Sequence, residues 1–432
     1  MLARTLMFQG TASHVGKSVL TAAFCRILRQ QGIRVAPFKA VNMSNNAWVT
    51  REGGEMAVAQ ASQAWACGLE PTVEMNPVLL KTLSDRKCQI ILRGRPLEVA
   101  EAIDLKKYRD LLEKAIRDSL EKLRESYEFV VIEGAGSPAE INLRRTDWVN
   151  MPVARAAEAP VVLIGDIERG GVFAQLVGTL ELLEPEDRER VKGFLINKFR
   201  GDLAILQPGL SWLEQRTALP VFGVLPFLED LSVPEEDGLA DRFQKAPSNG
   251  AHSAGALRVE VVRYPTISNF TDFDPLHREP GVEIRYLHEP PRGGEEAPHL
   301  LILPGSKSTM ADLTWLRRVG LDRYVTECLQ KGAEILGICG GFQMMGERIY
   351  DPSHVESAIS DMAGLGLMPT GTLFLSSKVT AQVKGTDLES GHPIRGYEIH
   401  AGRPQGLRRG KPVFRIQERG GAAVDDWDGC RL

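Results

Sequence analysis

The sequence predicts two consecutive α/β domains, each built on a parallel sheet with crossover helices. Short, nearly continuous Val/Ile/Leu runs alternate with longer amphipathic stretches, the pattern of strands covered on both faces. That alternation is interrupted by a polar stretch rich in Gly, Pro, Ser and charge over 231–256, and it resumes afterwards. The 432 residues suffice for two or three sizeable cores. The domains are therefore expected at 1–230 and 257–432, joined by a linker at 231–256.

Taken in order, the strands of the first domain are TLMFQG (5–10), RVAPFKA (34–40), FVVIEGAG (129–136), PVVLIGDI (160–167), VKGFLINK (191–198) and PVFGVLPF (220–227). Helices are expected at 17–31 and 107–126 between them. The second series is LRVEVVRY (257–264), VEIRYL (282–287), HLLILPG (299–305) and AEILGIC (333–339), and no internal repeat is visible. The composition is 43% hydrophobic and 25% charged, with a formal net charge of −4, which argues against a dedicated nucleic-acid binder. No uncharged apolar stretch approaches the roughly 18–20 residues of a membrane span. The N-terminus lacks a signal-peptide cleavage region, so a cytoplasmic protein is expected. Cys25, Cys67, Cys88, Cys328, Cys339 and Cys430 form no CxxC pair, which argues against a disulfide framework or a zinc site.

Residues 10–18 read GTASHVGKS between a strand and a helix, close to a Walker A loop but with five residues rather than four between Gly10 and Gly16. Glycines let backbone N–H groups approach phosphate oxygens, and a helix N-terminus favours the anion. Lys17 would reach the terminal phosphates and Ser18 would ligate Mg2+. Strand C-terminal ends are where α/β sheets bind ligands. Lys39, at such an end, could hold a carboxylate or a γ-phosphate. Glu133, in VVIEGAGS, is suited to Mg2+; Asp166, closing VVLIGD, is a parallel candidate that could equally cap a helix.

These residues resemble the dethiobiotin synthetase superfamily of ATP-dependent amide-forming enzymes, which shows the same lengthened loop, a lysine after the second strand and an EGAG turn. QGTASHVGKS, PFKAVNMSNN, GGEMAVAQASQAWA, EMNPVLLKT, EGAGSPAEINLR, DIERGGVFAQ, LPGSKST and GYEIHAG resemble, more narrowly, the cobyric acid synthase family. The similarity runs through the whole chain in order. It implies amidation of the b, d, e and g carboxylates of adenosylcobyrinic acid a,c-diamide, with ATP, Mg2+ and ammonia from glutamine. The γ-phosphate would activate each carboxylate as an acyl phosphate, the protein's task being positioning and charge neutralisation. By the family pattern, Gly10, Thr11, Val15, Gly16, Lys17 and Ser18 contact the nucleotide. Lys17 and Lys39 stabilise phosphates, and Ser18, Glu55 and Glu133 hold the metal. Asn42, Ser44 and Asn45 lie in an expected loop, where they either contact substrate amides or serve the turn.

ILGICGGFQMMG (335–346) has the form of a nucleophile elbow, with Cys339 between glycines at a strand end. The helix starting at Gly340 is expected to depress the thiol pKa. The Gly340 N–H offers one oxyanion donor, and Gly305 or Ser306 of LPGSKST a second. The arrangement resembles a class I glutamine amidotransferase domain, in which the cysteine forms a glutamyl thioester and releases ammonia. A thiol of this kind needs a histidine base. After Cys339 there are His354, His392 and His400, and His400 in GYEIHAG is the most motif-like. In the family the catalytic histidine follows later, in a Tyr-Leu-His-Gly string that does not occur here. Either the second domain is incomplete at its C-terminus, the expectation favoured here, or His400 has been recruited. An incomplete domain would leave a synthetase dependent on free ammonia. A corrinoid, glutamine or ammonia are the implied partners, and a homo-oligomer is compatible with the sequence. The alternatives are a cobyrinic acid a,c-diamide synthase and a non-catalytic P-loop switch or binding relative.

Overall fold

The computed structural model describes residues 2–84, 87–101, 107–144, 147–229, 255–291, 296–407 and 410–432. The linker expected over 231–256 falls outside the described residues for 231–254. The chain divides into two compact units. One comprises Met1–Ser44, Glu55–Leu80 and Gln89–Glu236, the other Asn45–Gly54, Lys81–Cys88 and Asp237–Leu432.

In the first unit, all-parallel strands run in the spatial order Val221–Pro226, Val191–Phe199, Val161–Asp166, Arg4–Gly10, Phe129–Glu133, Val35–Phe38. These are the six runs expected from the sequence. Val161–Asp166 is buried along its whole length, as a strand covered on both faces must be. The helix Arg109–Ser126 buries Leu112, Ala115, Ile116, Ser119, Leu120 and Leu123, the spacing of one helical face. The helix Leu203–Thr217 starts where the Asp202 carboxylate accepts the Ala204 N–H at 2.8 Å. The registers Gly10↔Ile164 and Phe8↔Glu133 place the ends of three adjacent strands side by side. Val41–Met43, read from the sequence as part of a loop, is instead a short strand in parallel register with Val78–Leu80.

The second unit holds a parallel sheet in the order Val282–Leu287, Leu257–Val262, Leu300–Leu303, Glu334–Gly337. Its core gathers Tyr264, Leu301, Leu303, Met310, Leu313 and Met344. A second sheet, absent from the sequence reading, runs Asp361–Ala363, Arg348–Tyr350, Gly371–Asp387, Phe414–Arg419, Ala422–Asp428. Pro393–Gln405 pairs antiparallel with Gly371–Asp387, with Val379 opposite His400.

The turn from Glu334–Gly337 into the helix Gly340–Met345 is packed backbone against backbone. A Cβ at Gly341 would lie 1.8 Å from the Leu303 carbonyl oxygen, and one at Gly337 2.7 Å from the Phe342 nitrogen. Gly341→Ala is therefore expected to destabilise the second unit by ~1–3 kcal/mol or more. Calorimetry should show its transition falling by several degrees, and an unchanged Tm would contradict this packing.

Candidate active sites

The nucleotide loop follows the central strand Arg4–Gly10. It has no room for a side chain at Gly10, where a Cβ would meet Val15 Cγ2 at 2.5 Å and the Ala12 carbonyl oxygen at 2.9 Å. Gly16 takes a left-handed φ of 102° at the start of the helix Lys17–Gln30. The Lys17 ammonium reaches back into the loop, donating to the Ala12 and Gly136 carbonyls at 2.9 and 3.1 Å. The loop is braced in part by Asn197 and Lys198, which the sequence reading did not single out. Asn197 Nδ2 donates to the Val15 carbonyl at 2.9 Å, and Lys198 Nζ to the His14 carbonyl at 2.7 Å. Thr11 donates its N–H to the Ile164 carbonyl at 3.0 Å and its hydroxyl to Gln175 Oε1 at 3.1 Å. Asp166 serves this brace, pairing with Lys198 at 2.9 Å and accepting the Glu168 N–H.

Glu133 ends the neighbouring strand with 1% of its side chain exposed, beside the wholly buried Lys39. Its Oε1 accepts from Ser18 Oγ at 2.8 Å and from Lys39 Nζ at 2.9 Å, and its Oε2 accepts from Gln63 Nε2. Burial alone would push this carboxyl up. The Lys39 charge and the hydrogen bonds from Lys39, Gln63 and Ser18 outweigh it and hold Glu133 below the ordinary carboxylate value. The structure brings three of the expected site residues, Ser18, Lys39 and Glu133, into contact. Gln63 was missed; it is the sixth residue of the helix Val58–Cys67, which is rich in small residues and packs against Lys17–Gln30.

Among the described residues no three His, Cys, Asp or Glu side chains form a metal cage. A hydroxyl and a carboxylate in contact fit Mg2+ nonetheless, because that ion keeps waters and phosphate oxygens rather than demanding an all-protein shell. Glu55 is fully buried, its N–H donating to the Gly94 carbonyl at 3.0 Å. Asn42 is not in a loop. It lies buried in Val41–Met43 with Nδ2 donating to Gln60 Oε1. Ser44 is buried with its N–H on the Leu80 carbonyl, and Asn45 Nδ2 donates to the Thr82 carbonyl at 3.1 Å.

In the second unit, Cys339 adopts φ 49° and ψ −110°, a strained backbone for a residue with a side chain and the signature of an elbow. Gly341 donates its N–H to the Pro304 carbonyl at 3.0 Å, and Ile338 to the Leu303 carbonyl at 2.9 Å. The expected depression of the thiol pKa is not found. Cys339 is exposed as a residue, yet desolvation by the surrounding protein pushes its thiol up; the Gly340 N–H pulls it down less strongly. The helix that follows, Gly340–Met345, spans only six residues, too few for a strong dipole. Of the two sequence-named partners for Gly340, the structure sets Ser306 against it: a Cβ at Gly340 would lie 2.9 Å from the Ser306 nitrogen. Gly305 turns its carbonyl to the Ser268 N–H at 2.9 Å.

The thiol lies 4.0 Å from the carbonyl oxygen of Ile399, the residue before His400. His400 Nδ1 is 2.9 Å from the Gly402 carbonyl. A carbonyl only accepts, so Nδ1 carries the proton and Nε2 is left as the basic nitrogen. His354 and His392 are exposed in turns, with His354 Nδ1 on the Ser357 carbonyl at 3.1 Å.

A parallel sheet with a phosphate loop and a buried carboxylate at its strand ends, followed by a cysteine elbow on a second parallel sheet, defines a nucleotide-dependent amidotransferase. Residues 6–240 match the CobQ/CobB/MinD/ParA nucleotide binding domain, and residues 258–432 the CobB/CobQ-like glutamine amidotransferase domain. The cobyric acid synthase of Sorangium cellulosum is 49% identical over all of this chain and 85% of its own length. That of Moorella thermoacetica is 48% identical over 99% of this chain and 84% of its own, and that of Syntrophobacter fumaroxidans 47% over the same shares. The chain belongs to the cobyric acid synthase family and is a glutamine-dependent, ATP-using amide ligase. Among the described residues no helix is long and apolar enough to cross a membrane.

Lys39→Met strands the Glu133 charge in the interior and should cost about 3–5 kcal/mol in denaturant titrations at neutral pH. Glu133→Gln in the same background should recover most of it. Because the folded carboxyl lies below its ordinary value, the pair's contribution is present at neutral pH and is lost as pH falls through that lowered value. The raised thiol predicts that iodoacetamide alkylation of Cys339 still accelerates at pH 9; a plateau below pH 8 would contradict it.

Proposed function

We propose that the protein amidates the b, d, e and g carboxylates of adenosylcobyrinic acid a,c-diamide, giving adenosylcobyric acid, with ammonia drawn from glutamine. The observation that carries the synthetase half is the buried cluster of Ser18, Lys39 and Glu133 beside the Lys17 loop. A carboxylate is a poor electrophile until an oxygen attacks the γ-phosphorus of ATP and ADP departs. Ammonia then attacks the acyl carbon of the resulting acyl phosphate and phosphate leaves. Lys17 and Lys39 neutralise charge on the transferred group. Ser18 and Glu133, with Glu55, would hold Mg2+, which supplies further neutralisation when bound. Asn42, Ser44 and Asn45 support the substrate side; with Asn42 and Ser44 buried, they act through the shape of the chain around them.

In the glutaminase half, the Cys339 thiolate attacks the side-chain amide of glutamine. Backbone N–H groups of Gly340 and Ser306 receive the oxyanion, ammonia leaves with a proton, and water clears the thioester. His400 is the base only if it has been recruited, the alternative to an incomplete domain; its Nδ1 stands on the Gly402 carbonyl, and the sulfur lies 4.0 Å from the carbonyl oxygen of its neighbour Ile399.

The test is corrinoid amidation with glutamine and with ammonium as nitrogen donors, on this substrate and on cobyrinic acid. Lys17→Ala should abolish both activities. Cys339→Ser should abolish the glutamine-dependent one alone, and His400→Ala should lower that one by about 10²-fold or more. Unimpaired glutamine use by the His400 variant would remove His400 as the base. Turnover of cobyrinic acid alone would assign the a,c-diamide reaction instead.

A further inference from the structure

Pro304 and Ser306 lie against the glycines of the elbow, so whatever holds their loop sets the oxyanion geometry. Asp312, in the first turn of the helix Thr309–Val319, is 1% exposed, and its side-chain partners are hydroxyls and an amide rather than a cation. Its Oδ2 accepts from Thr266 Oγ1 at 2.7 Å and from Ser306 Oγ at 2.6 Å, and its Oδ1 accepts the Thr266 N–H at 3.3 Å. Both hydroxyl hydrogens thus point at one carboxylate, and their lone pairs are left to receive the Ser308 N–H at 3.1 Å each. Two backbone bonds complete the clamp: Lys307 N–H to the Thr266 carbonyl and Ser268 N–H to the Gly305 carbonyl, both 2.9 Å.

These bonds flank an antiparallel bridge between Ile267 and Ser306. In such a pair the bridged residue turns its own N–H away from its partner. Ser306 N–H is therefore presented on the side where Gly340 lies against its nitrogen.

We infer that Asp312 is a positioning residue for glutamine hydrolysis, locking Ser306 so that its backbone N–H serves as the second oxyanion donor. The inference rests on the reading of Cys339 as the glutamine nucleophile. A carboxylate suits the task because it only accepts hydrogen bonds. An asparagine that keeps both hydroxyls on its oxygen would turn its own amino group onto the Thr266 N–H, donor against donor. The oxyanion donor must sit within a few tenths of an ångström, so a slackened loop is felt in the rate.

The experiment compares labelling of Cys339 by 6-diazo-5-oxo-norleucine, a glutamine mimic whose carbonyl needs the oxyanion donors, with labelling by iodoacetamide, which does not. Asp312→Asn should slow the first by about tenfold to hundredfold and change the second by less than twofold. Ser306→Ala, which keeps the backbone N–H but severs its hydroxyl tether, should act in the same direction, and the double variant should be no slower than Asp312→Asn. Where glutamine turnover is measured, kcat should fall with little change in KM, and the ammonium-dependent rate should stay constant. Equal effects of Asp312→Asn and Ser306→Ala on both reagents, or none on either, would overturn the inference. Wild-type Cys339 that iodoacetamide labels but the diazo ketone never does would instead overturn the nucleophile reading, and the inference with it.

Discussion

A carboxylate removed from water at the end of a strand organises the first unit. Left alone, the Glu133 charge would cost several kcal/mol, and burial works against its ionised form. The chain meets that cost with donors from three separate elements. Ser18 comes from the helix Lys17–Gln30, Lys39 from the end of Val35–Phe38, and Gln63 from the helix Val58–Cys67. Satisfying one carboxylate therefore fixes where those elements lie around the nucleotide loop. An apolar filling of the same volume would usually be as stable or more so. The polar cluster is better understood as charge held ready at a strand end than as a stabilising device.

The second unit relies on a different constraint, the near-contact of two backbones. Cys339 holds a conformation worth about 1–3 kcal/mol of strain, and it persists because Gly340 and Gly341 after it have no side chains to lose. Gly341 sits against the Leu303 carbonyl, and its N–H is taken by Pro304. The strand Leu300–Leu303 thereby supplies both the wall behind the elbow and the loop in front of it. Asp312 and Thr266 then decide which way that loop turns its N–H groups.

The two parallel sheets were legible chiefly through strands such as Val161–Asp166 and Leu300–Leu303, which are buried along nearly their whole length and read as apolar runs. The glycine loop before Lys17 and the elbow at Cys339 were legible because their residue types recur at short spacing, whereas Lys39 and Glu133, 94 residues apart, were each singled out only as strand-end residues. The sheet over 348–428 was not read, since strands such as Gly371–Asp387 are half exposed and their alternation of apolar and polar residues is imperfect. Asn42 was assigned to a loop because three-residue strands carry no periodicity. The thiol was expected to be acidic from the helix alone, whereas desolvation, a property of the whole surroundings, decides the direction. Gln63, Asn197 and Asp312 were invisible for the same reason: each acts on a residue far from it in sequence or through a fold-dependent turn.

The two lysines of the first unit illustrate why residue type alone does not define a role. Lys17 donates to neutral backbone oxygens of Ala12 and Gly136. An approaching phosphate offers stronger, charge-assisted bonds in their place, so the exchange favours the anion from the start. Lys39 is bonded to a carboxylate and wholly buried, so its charge is already balanced. Moving that ammonium toward an incoming anion weakens its hold on Glu133, which keeps Ser18 and Gln63 but loses its counter-charge. In the proposed synthetase reaction Lys17 is thus an anion site whose present partners include carbonyl oxygens. Lys39 is one whose availability depends on what else neutralises Glu133, which ties the second lysine to the state of the carboxylate beside it.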